Sequence, residues 1–115
     1  MLSGDSEVSE DRVPFERVDV ARARELIEQG YAVVDVRDLN EFNRGHIPGA
    51  RLLPLMSYLS HPEQLDGEGR YLFVCEVGER SAVAAEMACA EGKRDVVNLE
   101  GGTKAWREAG LPVER

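Results

Sequence analysis

No stretch of this 115-residue chain approaches the run of ~18 apolar residues that a membrane-spanning helix needs. The opening, Met1-Leu2-Ser3-Gly4-Asp5-Ser6-Glu7, has neither the basic n-region nor the apolar h-region of a secretory signal. Both absences exclude a membrane partner and lead to the expectation of a cytoplasmic protein. Cysteine is scarce: Cys75 and Cys89 are the only two. They do not form a disulfide framework, because a reducing compartment keeps thiols free and an α/β core of this length needs no staples. There is no Cys-x-x-Cys and no His-x-x-x-His, so a metal site has no support. Basic residues are outnumbered, 14 Lys and Arg against 22 Asp and Glu, for a formal net charge of −8 and a pI near 4.8. Nucleic acid, whose phosphates demand a basic surface, is thereby excluded as a partner. The acidic excess reads as a solvated surface and says little about fold. Internal repeats and low-complexity segments are also missing.

What remains is 43% hydrophobic and 31% charged, enough for one sizeable core and not for two. The acidic opening, with Asp5, Glu7, Glu10 and Asp11, reads as a flexible tail over residues 1–14, and a single domain is expected over residues 15–115. A short strand over residues 15–18 is followed by Asp19, which can cap a helix through Glu28 with Leu26 and Ile27 turned to the core. Gly30 ends that helix. Ala32-Val33-Val34-Asp35-Val36 is an apolar run closed by an acid, the pattern of a strand buried on both faces of a parallel sheet. Asp38 with Glu41 three positions on fits a capping box, and Pro48-Gly49 breaks the short helix it opens. A strand near residues 50–53, a helix near 54–59, and the turn Asp66-Gly67-Glu68-Gly69 lead into a strand over 71–75. A helix over 81–91 and a strand over 95–99 follow. Repeated strand–helix alternation implies a parallel, doubly covered sheet with right-handed crossovers, whose ligands bind at the carboxyl ends of the strands.

One such end carries Cys75-Glu76-Val77-Gly78-Glu79-Arg80-Ser81, set between the apolar Tyr71-Leu72-Phe73-Val74 and a helix start near Ser81. Backbone N–H groups and a helix dipole converge there, which favours an anion. A free thiol with a pKa near ~8.5 is mostly protonated at neutral pH, and such a cradle lowers that value. Gly78 supplies a positive φ or a close backbone approach, and Arg80 supplies a permanent charge with about five N–H donors for an anionic substrate. The plainer reading is a buried, inert cysteine at a strand end.

Other chemistry-bearing residues have quieter readings. Ala82, Ala85 and Cys89 form one helical stripe, with Val83, Met87 and Ala90 beside it, so most of the 81–91 helix is expected to be buried. Cys89 then packs as a small hydrophobe, since the helical rise of ~12 Å from Ser81 is too far for a disulfide to Cys75. His46, in Gly45-His46-Ile47-Pro48-Gly49, reads as a turn or hydrogen-bonding residue, because a preformed thiolate needs no general base. His61, before Pro62, reads as loop surface. Asp35 and Arg37 end their strand near the site and read as a salt bridge fixing neighbouring loops, with Arg37 the better placed of the two to approach a ligand.

Three ordered motifs across residues 15–113 carry a family resemblance. Asp35 to Phe42 with Gly45-His46-Ile47-Pro48-Gly49-Ala50, then Cys75-x-x-Gly78-x-Arg80-Ser81, then Val97-Asn98-Leu99-Glu100-Gly101-Gly102-Thr103-Lys104-Ala105-Trp106 together resemble the single-domain rhodanese (sulfurtransferase) family. The resemblance implies a three-layer α/β/α fold with a central five-stranded parallel sheet. It implies a Cys75 persulfide loaded from thiosulfate or a protein persulfide, held by the loop residues Glu76, Val77, Gly78, Glu79, Arg80 and Ser81, and discharged to a thiol or cyanide. No cofactor is implied. The sequence departs from the family pattern at Glu76 and Glu79, acids beside the nucleophile, and at Lys93, where an aromatic is common. Two nearby carboxylates are expected to raise the thiol pKa and repel a dianionic donor, each by ~1 kcal/mol in a solvent-screened setting. Thiosulfate would then be a poor donor and a neutral or protein-bound persulfide the better one. A rhodanese-like binding or regulatory module is the alternative to an enzyme. A phosphatase of the cell-cycle dual-specificity class is disfavoured, because those enzymes use Cys-x5-Arg and this loop is Cys-x4-Arg.

Overall fold

The computed structural model describes residues 15–65 and 69–115. The acidic opening segment and most of the turn at 66–69 lie outside the described residues. In chain order the elements are β1 (Glu16–Val18), α1 (Val20–Glu28), β2 (Ala32–Asp35), α2 (Leu39–Arg44), β3 (Arg51–Leu52), α3 (Leu55–Ser60), a 3-10 turn (Pro62–Gln64), β4 (Arg70–Val74), α4 (Glu79–Ala90), β5 (Asp95–Leu99) and α5 (Gly102–Glu108).

The five strands form one parallel sheet in the order β1-β5-β4-β2-β3. Its alternating faces explain the continuous apolar runs. Val34, Phe73, Cys75 and Val96 pack with Tyr58 of α3 and with Ala84, Ala85 and Ala88 of α4. Val33, Leu72, Val74, Val97 and Leu99 pack with Ala23 and Leu26 of α1 and Trp106 of α5. Three layers result, and complete burial of residues such as Leu72 and Phe73 contributes about 1.5–3 kcal/mol each. Asp19 caps α1 as its sequence position foretells, accepting from the Arg22 N–H at 3.0 Å. The Asp38–Glu41 capping box on α2 is complete.

Helix α4 departs from expectation. It begins at Glu79, two residues before Ser81, because Gly78 adopts φ +104° and serves as its N-cap. Its buried stripe is Ser81, Ala84, Ala85 and Ala88, while Val83 is exposed and Cys89 half-buried. Cys89 sits against the α3–α4 core as the packing reading requires.

Tyr58 of α3 is fully buried, and its hydroxyl has no hydrogen-bond partner among the described residues. Burial, with Glu91 nearby, pushes its pKa up to about 12. An unpaired buried hydroxyl costs ~1–3 kcal/mol of desolvation. Tyr58→Phe should therefore leave stability unchanged or raise it by about 1 kcal/mol in a denaturant titration, and a clear loss would show that the hydroxyl is satisfied.

The register brings the carboxyl ends of the central strands together. Asp35 lies beside Val74, and Asn98 beside Phe73. Cys75 is thus the first residue past β4, flanked by the ends of β2 and β5. Among the described residues no helix is long and apolar enough to cross a membrane.

Candidate active site

The apolar strand β4 delivers Cys75 to the sheet's carboxyl edge, and the Glu76–Gly78 turn folds back over its side chain. Cys75 is 1% exposed. Its Sγ accepts a hydrogen bond from the Gly78 N–H at 3.1 Å and one from the Ser81 hydroxyl at 3.4 Å. Burial alone would push the thiol pKa up. Bonds from the Ser81 hydroxyl and from the Ser81, Gly78 and Val77 N–H groups outweigh it and hold the thiol below its ordinary 9.0. The N-terminus of the twelve-residue α4 adds its dipole to the same point. Ser81→Ala removes one donor and should move the thiol midpoint upward toward 9.0, measured by pH-dependent alkylation. An unmoved midpoint would mean that the backbone donors alone set it.

The back of the loop is held by α5 and β5. Thr103 donates to the Cys75 carbonyl twice, through its N–H at 2.9 Å and its hydroxyl at 3.1 Å, and the Lys104 N–H donates to the Glu76 carbonyl at 3.0 Å. Helix α5 can approach this closely only because Gly102, at φ +61°, has no Cβ; one built there would lie 2.5 Å from the Cys75 carbonyl oxygen and closer still to that of Glu76. Asn98, fully buried, donates to the Gly78 carbonyl at 3.2 Å and to the Glu100 carboxylate at 2.6 Å. Gly102, Thr103 and Asn98 lie within the third sequence motif, and their part in the site is visible only in the fold.

Arg37 confirms the salt-bridge reading. It is 2% exposed, and its guanidinium meets the Asp35 carboxylate through Nε at 2.9 Å and Nη2 at 2.8 Å, then the Gly45 carbonyl at 2.8 Å. Burial would push its pKa down, and the Asp35 bonds more than offset that. Its Nη1 donates to Glu76 at 3.2 Å, and Arg107 of α5 binds the other Glu76 oxygen. The thiol is lowered on balance by its hydrogen bonds, and Glu76, expected to raise it, is held by two guanidinium groups. Arg80 is also more committed than expected. It forms a bidentate pair with Glu41, both contacts 2.9 Å, which holds that carboxyl at about 2. Glu41 thus serves both the capping box and the loop. Glu79 and Val77 are exposed.

His46 stacks on Phe42 with ring centroids 3.6 Å apart and uses Nδ1 to donate to the Phe42 carbonyl at 2.9 Å, so its role is structural. His61 is exposed beside Glu63.

The model of the rhodanese-like domain family matches residues 19–109, and the chain belongs to that family. It is similar to the thiosulfate sulfurtransferase GlpE of Pseudomonas paraeruginosa, 36% identical over 93 residues covering 81% of this chain and 84% of that one. Among solved structures it is similar to a rhodanese-related protein of Thermoplasma volcanium, with a TM-score of 0.80, 31% identity, and coverage of 87% and 98% of the two chains. A protein of Rhodopseudomonas palustris described as of unknown function and a possible tyrosine phosphatase matches with a TM-score of 0.76 and 34% identity, covering 87% and 85%.

Proposed function

We propose that this protein is a sulfurtransferase that carries a sulfane sulfur on Cys75. The observation that carries the reading is the Cys75 sulfur held by the Gly78 N–H and the Ser81 hydroxyl at the start of α4, in a chain of the rhodanese-like family. In the first half-reaction the Cys75 thiolate attacks the outer sulfur of thiosulfate. The S–S bond of the donor breaks, sulfite leaves with the electron pair, and Cys75 becomes a persulfide anion. In the second, a thiol attacks the outer persulfide sulfur, the Cys75–sulfur bond breaks, and the pair returns to the Cys75 thiolate. The thiol's proton ends on the new persulfide. Each state is anionic, so donors preorganised for the thiolate also suit the persulfide and little reorganisation is needed.

Pairing of Glu76 with Arg37 and Arg107 offsets one of the two acids beside the loop and so supports thiosulfate as donor. A sulfur this enclosed admits a slender terminal atom more readily than the tetrahedral centre of a phosphate ester, and the Cys-x4-Arg loop points the same way. Arg80 and the loop N–H groups of residues 76–81 would face the bound anion, with Arg37 positioning Glu76. A working thiolate requires a reducing compartment, which favours the cytoplasm.

The engagement of Arg80 by Glu41 favours one second reading, a sulfur-binding module with little turnover. Rapid mixing with thiosulfate separates the two. An enzyme releases about one sulfite per chain in a burst and continues when a thiol is present; a module stops after the burst. No Cys75-dependent sulfite release would contradict both.

A further inference from the structure

Beside the loop lies an open cavity of about 510 Å³ lined by Arg37, Glu41, Arg44, Glu76, Arg107 and Arg115. It joins the site through Glu76, which follows the nucleophile, and through Glu41, the partner of Arg80. Four guanidinium groups on four separate segments converge here in a chain whose formal net charge is −8. Their compensation is uneven. Asp35 answers Arg37, and Glu76 answers Arg107, while Glu41 is engaged by Arg80. The Arg44 side chain has no hydrogen bond or ion pair among the described residues, and Arg115 makes a bond to the Arg44 carbonyl and none to a carboxylate. Two planar, permanently charged forks are thus left facing a space of the size that holds small organic molecules, ~300–1,000 Å³. Guanidinium is the group that binds carboxylate bidentately.

We propose that this cavity binds the carboxylates of the organic thiol that accepts the sulfur, so that the preferred acceptor is a small anionic thiol with at least two carboxylate groups. The inference rests on the sulfurtransferase reading. With the carboxylates on Arg44 and Arg115, the acceptor sulfur approaches the outer sulfur of the Cys75 persulfide; the new S–S bond forms as the Cys75 bond breaks, the electron pair returning to Cys75 and the thiol proton passing to the terminal sulfur of the product.

The test uses the full chain preloaded with thiosulfate and freed of excess donor, discharged with mercaptosuccinate or with neutral 2-mercaptoethanol. The readout is the ratio of the two second-order rate constants, each corrected for thiolate fraction. The parent should favour mercaptosuccinate at least tenfold, the double variant Arg44→Gln/Arg115→Gln should lose at least tenfold of that ratio, and added salt should erode it in the parent. A ratio unchanged by the double substitution overturns the proposal. So does a drop in thiosulfate loading with the ratio intact, because the cavity would then serve the donor. Succinate binding followed by NMR keeps the two readings distinguishable. Succinate that perturbs Arg44 and Arg115 in the parent, and not in the double variant, supports the cavity even if Cys75 takes up no sulfur, whereas absent binding overturns it even if Cys75 loads normally.

Discussion

Cys75→Ser should take up no sulfur and transfer none, while Cys89→Ser should retain both within a few-fold of the parent. The two cysteines sit on opposite ends of the same helix environment. Cys75 precedes α4 at its N-terminus, where its sulfur accepts the Gly78 N–H and the Ser81 hydroxyl and its pKa is lowered. Cys89 lies in the last turn, where burial pushes its pKa up. A serine hydroxyl is far too weak an acid to supply a nucleophile in the same cradle. Single-turnover sulfite release and thiol-dependent discharge measure the loss, and equal losses in the two variants would break the assignment of Cys75.

Gly102→Ala should be the most damaging small substitution outside the loop. A methyl group there meets the carbonyl oxygens of Cys75 and Glu76, both backbone atoms that cannot swing away, and the residue must keep φ +61°. Left-handed strain of about 1–2 kcal/mol and overpacking of about 1–3 kcal/mol give an expected loss of about 2–5 kcal/mol. For a domain of this length that is a fall in Tm of at least about 10 °C. If the helix retreats instead, the Thr103 bonds to the Cys75 carbonyl lengthen and the thiol pKa rises. Gly110→Ala is the control, since it has a positive φ of 77° with nothing within 4 Å of the added carbon. It should cost only the strain. Equal costs at the two positions would mean that α5 does not brace the loop.

The parts of this account legible in the sequence are those with local causes. The run Tyr71 to Val74 is a strand, with Leu72, Phe73 and Val74 buried on its two faces. Asp19 and the Asp38–Glu41 pair cap the helices they announce. The Cys75 cradle was readable because a strand end, a glycine and a helix start are consecutive. The α4 register was not, because alanine on nearly every face of that helix leaves no hydrophobic period to read, and the capping glycine moves the start to Glu79. The pairing of charges around the sulfur is not legible for a different reason. Glu76 is 39 residues from Arg37 and 31 from Arg107, and Glu41 is 39 from Arg80. Only the strand order β4 beside β2, and α5 packed behind the loop, bring these partners together. Glu76, which looks hostile to an anionic donor, is thereby held by two arginines, while Glu79 stays exposed. The roles of Asn98 and Thr103 leave no spacing signal in the sequence, because their side chains serve carbonyls of a loop distant in the chain.

The measurement that bears most directly on the central claim is the intact mass of the protein after incubation with thiosulfate and removal of excess reagent. A chain heavier by one sulfur atom is expected, with the addition mapped to Cys75, removed by a thiol, and absent from Cys75→Ser. An unchanged mass, or a sulfur carried on Cys89, would contradict the account.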